Sequence, residues 1–325
     1  MQDTIAAYAL EAITRRVFPG CVVGVTKKGT REVAFCGRHT YDPKTPEVTP
    51  DSLYDCASIT KSVPTAMLAL QLIDEGKLSL DDQLTQYIPE FRTSHRNEVR
   101  IRHLLTYTLG NTVPLSSLKE KTPDEILNAV YTDDGNEPGT VFSYSNAPAL
   151  LLGVVIERIL AASLQGAARE RIFKPLGMSA TAFMPHGAVP TEEDVQDVVH
   201  DESARVFSRA GRAVGHSGLF STVPDLLKFC EHLLKNPDER LCTNQIAHLG
   251  NSTALGWELD QPWMGGKRSP KTFGKTGFTG TSIVCDFDRE TAIVILSNRT
   301  YPKATADRTA INTFRCEISD IVFRS

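Results

Sequence analysis

A serine and a lysine stand three residues apart near the start of an apolar helical segment, "ASITKSVPTAMLALQLIDEG", at residues 57–76. On a helix, positions three apart share one face, with about 5 to 6 Å between their Cβ atoms, so Ser58 and Lys61 can touch. A cation beside the hydroxyl stabilises the alkoxide that forms when a serine attacks a carbonyl. The start of a helix adds free N–H groups and the positive end of the macrodipole. The spacing therefore predicts Ser58 as a nucleophile.

The S-x-x-K pattern alone is weak evidence, because it occurs twice in the chain. The second copy, Ser116 and Lys119, lies in "VPLSSLKEKTP", between prolines and with no apolar helix behind it. We expect this copy to be a solvated loop without catalytic function.

Two further patterns, each present once, add to the first. "FSYSNAPAL" contains Tyr144 and Asn146 as Y-x-N, and "FGKTGFTGTSIV" contains Lys275, Thr276 and Gly277 as K-T-G. In this order, the three patterns resemble the signatures of the serine β-lactamase and penicillin-binding-protein superfamily. The segments "RIRHLLTYTLG", "IFKPLGMSAT" and "GLFSTVPDLLKF" are similar to the class C β-lactamase and esterase branch, so the resemblance covers nearly the whole chain.

The resemblance implies that Ser58 attacks an ester or amide carbonyl and forms an acyl-enzyme that water hydrolyses. The base is either Tyr144 as a phenolate or Lys61 as a neutral amine, and the sequence leaves both open. Lowering a tyrosine pKa from about 10 towards 7 needs roughly 4 kcal/mol. One ammonium about 4 Å away supplies energy of that order at an effective dielectric of about 20, so Lys61 and Lys275 together suffice.

The resemblance also assigns binding roles. Asn146 is expected to hold the substrate or Lys61, and Thr276 to line the binding groove beside Gly277. The oxyanion hole is expected to use the backbone N–H groups of Ser58 and of Phe278, the residue after K-T-G.

Two similar patterns are set aside. "TPDEILN" places Asp124 and Asn128 before the Y-x-N pattern, whereas class A β-lactamases have their E-x-x-L-N after it, so we expect an ordinary helix. "GHSGLFS" places His216 and Gly218 in an H-x-G pattern that we expect to lead into a helix without a substrate-binding strand. Lys275 is therefore preferred as the third signature.

Strand and helix patterns divide the chain into regions. An amino-terminal helix precedes a hairpin, "CVVGVTKKGTREVAFCGRH", and "TSIVCDFDRETAIVILSN" predicts two strands joined by a turn near the other end. The middle is helical, with candidates that include "SLDDQLTQYI" and "APALLLGVVIERILAASL". A polar stretch, residues 185–211, predicts a surface loop with a short helix. "STVPDLLKFCEHLLK" predicts a capped helix, and "TAINTFRCEISDIVF" predicts a helix packed on the sheet.

These elements predict an α/β fold of the α+β type. An antiparallel sheet is flanked by the terminal helices and interrupted by an inserted all-helical lobe, an arrangement that is β-lactamase/transpeptidase-like. We expect one domain over residues 1–325, with a sheet lobe at about 1–57 and 211–325 and a helical lobe at about 58–210.

Composition excludes several functional classes. The formal net charge is −4 and the basic residues are dispersed, so we expect no nucleic-acid partner. No apolar run reaches the roughly 18 residues that span a bilayer, so we expect no membrane partner. The amino terminus lacks the pattern of a signal peptide, which predicts a cytoplasmic protein.

The metal-binding residue types show no ligand pattern. Seven scattered cysteines include no C-x-x-C, and we expect them to be buried free thiols. The histidines show no metal-ligand spacing. We therefore expect neither a metal nor another cofactor.

The predicted partner is a small-molecule ester, amide or β-lactam. Without an export signal the protein would have no access to peptidoglycan, so we expect a carboxylesterase-like acyl hydrolase. The alternatives are a β-lactamase or D-alanyl-D-alanine carboxypeptidase, and, from another class, a non-catalytic module that binds a peptide or acyl ligand. Lys61 beside Ser58 argues against that module, because a pure binder does not need it. The oligomeric state is left open.

Overall fold

The central sheet has six strands in the order β2-β1-β9-β8-β7-β6, and each neighbouring pair is antiparallel. A computed structural model describes residues 1–184 and 186–324 of the chain. The strands are β1 Gly20–Lys27, β2 Thr30–Gly37, β6 Glu258–Leu259, β7 Thr272–Thr276, β8 Ser282–Asp286 and β9 Thr291–Ser297. The predicted hairpins are confirmed: β1 and β2 join through a turn at Lys28 and Gly29, whose φ angles are 48° and 81°.

A second, smaller sheet has three strands in the order β3-β5-β4. They are β3 Tyr54–Asp55, β4 Ala182–Phe183 and β5 Leu219–Ser221. Strand β3 immediately precedes the Ser58 segment, and β5 follows His216. This sheet therefore joins two parts of the chain that meet at the site.

Helices cover both faces of the central sheet and fill the middle of the chain. They are α1 Gln2–Thr14, α2 Met67–Asp74, α3 Ile101–Leu105, α4 Pro123–Tyr131, α5 Ala147–Leu160, α6 Leu164–Ala168, α7 Glu202–Arg209, α8 Val223–Lys235 and α9 Thr309–Arg324. Helix α4 begins with a capping box formed by Thr122 and Glu125, and Thr222 caps the predicted helix α8.

The two faces of the sheet belong to two cores, because successive side chains of a strand point to opposite faces. On β9, Ile293 and Ile295 pack with the terminal helices α1 and α9. Val294 and Leu296 face the opposite way and join the larger core, which continues into the middle of the chain. The predicted flanking of the sheet by both terminal helices is confirmed.

Two details of the predicted helical region were wrong. The segment "SLDDQLTQYI" forms only a single 3-10 turn at Leu84–Gln86. The Asp82 carboxylate accepts hydrogen bonds from the Ser79 N–H at 2.7 Å and the Tyr87 hydroxyl at 2.6 Å, and these local bonds compete with helix formation. The region also contains strand β4, so it is not all helical. The boundaries of the two lobes stay a prediction.

Among the described residues, no single helix combines the length and apolar character needed to cross a membrane. The helix pair Ala147–Leu160 and Leu164–Phe173 meets those criteria only when taken together, and it is bent by 76° at its break.

Candidate active site

Ser58 and Lys61 contact each other directly. The Lys61 Nζ donates hydrogen bonds to the Ser58 Oγ and to the His216 carbonyl oxygen, both at 2.9 Å. Lys61 is only 2% exposed, and Ser58 lines an open cleft. Burial lowers the pKa of Lys61, and the Lys275 charge adds to this, while Tyr144 opposes it.

The local structure around Ser58 differs from the predicted continuous helix. Ser58 and Lys61 lie in a 3-10 turn, Ala57–Lys61, in which residues three apart are eclipsed. The backbone then leaves helical geometry at Val63, with φ −115° and ψ 107°. The break precedes Pro64, where we expect one because proline lacks the N–H of a regular helix. Ser58 therefore sits at a short turn and not at the positive end of a long helix.

Asp55 holds Ala57, the residue before Ser58, in place. Ala57 has a φ of 46°, an unusual value for a residue with a side chain. Its N–H donates to the Asp55 carboxylate at 2.7 Å, and the His200 N–H donates to the other oxygen at 2.7 Å. Burial raises the pKa of Asp55 to about 6, although these two hydrogen bonds oppose the shift.

Tyr144 lies between two ammonium groups. Its ring centroid is 4.4 Å from the Lys275 Nζ and 5.4 Å from the Lys61 Nζ. Burial of the phenol oxygen raises the pKa of Tyr144, but Lys275 first and Lys61 second outweigh this effect, so its pKa lies below the usual value. The residue as a whole is 43% exposed because its ring lines the cleft.

Lys275, on β7, is fully buried and has partners within the protein. Its Nζ lies 3.1 Å from a Glu258 carboxylate oxygen and donates to the Tyr107 hydroxyl at 3.3 Å. Burial lowers the pKa of Lys275, but the two tyrosine oxygens and the Glu258 carboxylate outweigh it, so its pKa lies above the usual value. Burial raises the pKa of Tyr107, which therefore stays protonated.

The end of β7 packs tightly against the turn Ala57–Lys61, which contains Ser58. A Cβ on Gly277 would come within 2.0 Å of the Thr281 Oγ1 and 2.4 Å of the Cys56 carbonyl oxygen, so glycine is required there. The hydroxyls of Thr279 and Thr281 donate to the carbonyls of Asp55 at 2.7 Å and Cys56 at 3.1 Å. These bonds fix the turn after K-T-G relative to Ser58.

Within the described chain, the backbone N–H groups of Ser58 and Phe278 have no protein acceptor. Both residues line the same cleft, as does Thr276. Two free donors on the cleft that Ser58 lines are the kind of group from which an oxyanion hole is built.

Asn146 contacts Asp201 and not Lys61, which was one of the two partners expected for it. Its side-chain amide donates to the Asp201 carboxylate at 2.9 Å, and no hydrogen bond joins it to Lys61. Asp201 also accepts from the Ser203 hydroxyl at 2.6 Å and lies 3.4 Å from the buried His216 ring. Burial raises the pKa of Asp201, but hydrogen bonds from His216 and Ser203 outweigh it, so its pKa lies below the usual value.

The second S-x-x-K pattern, the "TPDEILN" segment and the H-x-G pattern do not contribute side chains to the cleft. Lys119 pairs with Glu202 on the surface, and Asp124 belongs to α4. The His216 pattern leads through strand β5, Leu219–Ser221 of the smaller sheet, into the capped helix α8, and no β5 residue lines the cleft. His216 nevertheless contributes its carbonyl to Lys61 and does not line the cleft.

Sequence reasoning missed Tyr107, Glu258 and Asp201. Tyr107 belongs to the segment "RIRHLLTYTLG", which carries part of the family resemblance but no predicted site residue, and no local pattern indicates its left-handed φ of 56°. Glu258 and Asp201 belong to no motif, and only the folded chain brings them to Lys275 and Asn146.

The cleft in front of Ser58 has a volume of about 310 Å³. Its walls combine aromatic, polar and cationic side chains, which include Phe142, Gln261, Trp263, Arg308, Asn312 and Arg315. Nowhere in residues 1–184 and 186–324 do three His, Cys, Asp or Glu side chains form a group that could hold a metal ion.

Comparison with known proteins gives consistent matches. The family model described as Beta-lactamase matches residues 5–314. A putative D-alanyl-D-alanine carboxypeptidase of Escherichia coli strain K12 is 29% identical over 307 residues, which cover 78% of this chain and 70% of that protein.

Two solved structures are similar in fold. EstCE1, described as a hydrolase with promiscuous acyltransferase activity, aligns with a TM-score of 0.78 and 19% identity, over 96% of this chain and 97% of its own. An octameric penicillin-binding protein homologue from Pyrococcus abyssi aligns with a TM-score of 0.70 and 22% identity, over 91% and 73% of the two chains.

Proposed function

Because the chain belongs to the beta-lactamase family of serine hydrolases, we propose that it cleaves small carboxylic esters through an acyl-Ser58 intermediate. The observation that carries the proposal is the hydrogen bond of 2.9 Å between Lys61 and Ser58, beside a Tyr144 ring that lies within 5.4 Å of both ammonium groups. These groups can remove a proton from the Ser58 hydroxyl as it attacks.

In the proposed mechanism, the Tyr144 phenolate takes the Ser58 proton while the Ser58 oxygen bonds to the ester carbonyl carbon. The N–H groups of Ser58 and Phe278 donate to the oxyanion that forms. The Tyr144 phenol then gives its proton to the leaving alcohol, and the acyl group stays on Ser58. The same phenolate then takes a proton from water as the water oxygen bonds to the acyl carbon. The bond from that carbon to the Ser58 oxygen breaks, and the phenol returns the proton to Ser58, which releases the carboxylic acid and restores the enzyme.

The charge balance of the cleft supports a neutral ester. The Lys275 ammonium, which would otherwise attract a substrate carboxylate, is paired with Glu258 at 3.1 Å. An ion pair inside the protein presents much less charge to the substrate than a free ammonium does. A neutral acyl compound does not need a free ammonium for binding, so this ion pair does not weaken its binding.

The second candidate is D-alanyl peptide or β-lactam hydrolysis, and one observation favours it. Arg308 lines the cleft and, within the described residues, has no carboxylate within 4.0 Å of its guanidinium. A free guanidinium is suited to a substrate carboxylate. The Escherichia coli relative named above carries the corresponding name.

A substrate panel with matched serine variants tests the proposal. A fluorophosphonate should add covalently to the wild type and to Ser116→Ala, but not to Ser58→Ala, as measured by intact mass. Ser116 is the control because it belongs to the second S-x-x-K pattern, far from Lys61 in the sequence. If Ser58→Ala still formed the adduct, the assignment of Ser58 as the nucleophile would be rejected.

Turnover then separates the functions. We expect hydrolysis of a p-nitrophenyl butyrate at a kcat/KM well above that for a D-alanyl-D-alanine peptide or a cephalosporin. Lys61→Ala and Tyr144→Phe should each lower ester turnover by about 100-fold or more, as loss of a general base does. An adduct without turnover of any of the three substrates would favour the binding module instead.

A further inference from the structure

Two cysteines face each other at the edge of the central sheet. Cys21 on β1 and Cys36 on β2 are direct partners in the antiparallel register, and their thiols contact each other. Directly opposed residues of antiparallel strands have Cα atoms about 4.5 or 5.5 Å apart. Both values fall in the range of about 4.4 to 6.8 Å that disulfides span, so the backbone already has the spacing of a disulfide.

The two thiols differ in their surroundings. Cys21 is fully buried, whereas Cys36 is partly exposed and lies on the edge strand β2, next to the exposed Phe35. The contact between the thiols lowers the pKa of Cys36, against the effect of its burial, and raises that of Cys21. Cys36 is therefore the less buried residue of the pair, and its thiol has more thiolate character, which is the nucleophilic form.

We propose that Cys21 and Cys36 are a redox-active dithiol that a hydroperoxide converts into a disulfide between β1 and β2. The Cys36 thiolate attacks one peroxide oxygen, so an S–O bond forms, the O–O bond breaks, and the other oxygen leaves as water or alcohol after taking a proton. The product is a sulfenic acid on Cys36.

The second step closes the pair. The Cys21 sulfur attacks the Cys36 sulfur, the S–S bond forms, and the S–O bond breaks. The hydroxide that leaves takes the Cys21 proton and becomes water. The two thiols lose two electrons, the peroxide gains them, and a dithiol reductant reverses the oxidation.

The chain contains its own control pair. Cys230 on α8 and Cys285 on β8 also contact each other, but both have an exposure of 0% within the larger core. Both residues are closed off from an oxidant in the folded protein, and the Cys230 thiol, together with burial, raises the pKa of Cys285. Contact between thiols is common to both pairs, so accessibility is the difference that the proposal depends on.

The test uses the full-length, reduced protein and hydrogen peroxide as the probe. We expect the folded protein to lose the mass of two hydrogen atoms, and peptide mapping to recover the Cys21 and Cys36 peptides joined. Cys230 and Cys285 should stay reduced and should react with iodoacetamide only after unfolding. Dithiothreitol should restore the starting mass and the separate peptides.

Two single variants distinguish the proposed order of steps. Cys21→Ser should stop at a sulfenic acid on Cys36 that dimedone traps, whereas Cys36→Ser should give neither the disulfide nor the dimedone adduct. The proposal is overturned if the wild type keeps both thiols free under peroxide, or if the disulfide joins Cys230 to Cys285. Because the wild type alone gives the main result, a variant that fails to fold does not prevent the test.

Discussion

At the scale of single residues, the site depends on the competition between burial and charge at one phenol. Burial alone would keep Tyr144 protonated, and the two ammonium groups reverse the direction of its pKa shift. The carboxylate of Glu258 acts against them, because it pairs with Lys275 and raises the pKa of Tyr144. Lys61 has a different leading set of neighbours, in which Asp201 is the carboxylate that raises its pKa.

This difference allows pH profiles to identify the base. If the Tyr144 phenolate is the base, activity falls as the pH drops through its pKa. Glu258→Gln removes a charge that raises that pKa. The acid limb, which is the low-pH side of the pH profile of kcat/KM, should therefore move to lower pH. Asp201→Asn should move the limb less, because Lys275, Lys61 and Glu258 are the leading charges that shift the pKa of Tyr144.

If Lys61 is the base, the two variants should change the pH profile in the opposite order. Asp201→Asn removes a charge that raises the pKa of Lys61, so with a neutral Lys61 as the base this variant moves the acid limb to lower pH. Glu258→Gln would then move the limb less than Asp201→Asn does. The measurement is kcat/KM for a neutral ester across the pH range in both variants, and a larger movement with Asp201→Asn than with Glu258→Gln would reject the proposed role of Tyr144.

At the scale of elements, the site requires the end of β7 to lie against the turn Ala57–Lys61, which contains Ser58. Gly277→Ala places a Cβ 2.0 Å from the Thr281 Oγ1 and 2.4 Å from the Cys56 carbonyl oxygen, so the two segments must separate. We expect a stability loss of about 1–3 kcal/mol from overpacking. Displacement of the Phe278 donor should also lower kcat by about 100-fold, as loss of one oxyanion donor does.

Gly266→Ala is the matched control for that change. A Cβ there meets no atom closer than 3.8 Å, which is an ordinary contact. Esterase kinetics and thermal unfolding of both variants check the prediction. Near-normal turnover in Gly277→Ala would show that Phe278 is not an oxyanion donor.

Arg299 supports the same turn from the other side. Its Nε donates to the Phe278 carbonyl at 2.8 Å, and its guanidinium lies 4.6 Å from the centroid of the Phe278 ring. Arg299→Met keeps most of the stem but loses both contacts, and also the hydrogen bonds of the guanidinium to the Thr305 and Asp307 carbonyls at 3.3 and 3.0 Å. Because small misplacements of a catalytic donor are costly, we expect kcat to fall by about 10- to 100-fold with an unchanged acid limb.

Arg308→Met is the control for Arg299. The Arg308 guanidinium also lies over the Phe278 ring, at 5.2 Å, but makes no hydrogen bond to the Phe278 backbone. Its loss should leave kcat for a neutral ester unchanged. Equal losses in both variants would mean that the ring contact, and not the backbone hydrogen bond, positions the turn.

Local patterns predicted the elements well where neighbours in sequence decide the structure. The Lys28–Gly29 hairpin and the capped helix α8 follow from turn and cap residues. The helix expected from Ser58 onward was wrong in its first turns, because the segment is held by Asp55 and by threonines more than 200 residues away. No local pattern contains those contacts.

At the scale of the whole molecule, the site is assembled from distant parts of the chain. Motifs predicted which residues would meet: Ser58 and Lys61, Tyr144, and Lys275. Their neighbours Glu258 and Tyr107 were not predictable, because tertiary packing alone places them beside Lys275. The catalytic roles stay predictions until the variants are measured.

The larger core joins the helical middle of the chain to the sheet, so we expect both to unfold together. Leu151 on α5 has 0% exposure and shares this core with Trp257, next to the sheet. Leu151→Ala leaves a cavity and should cost about 2–5 kcal/mol. Circular dichroism, which reports mainly helices, and tryptophan fluorescence should then show the same decrease in the unfolding midpoint. Leu10→Ala, at a leucine that is 54% exposed on α1, should change neither. If only the circular dichroism midpoint moves in Leu151→Ala, the helical region unfolds separately from the sheet and the shared core does not couple them.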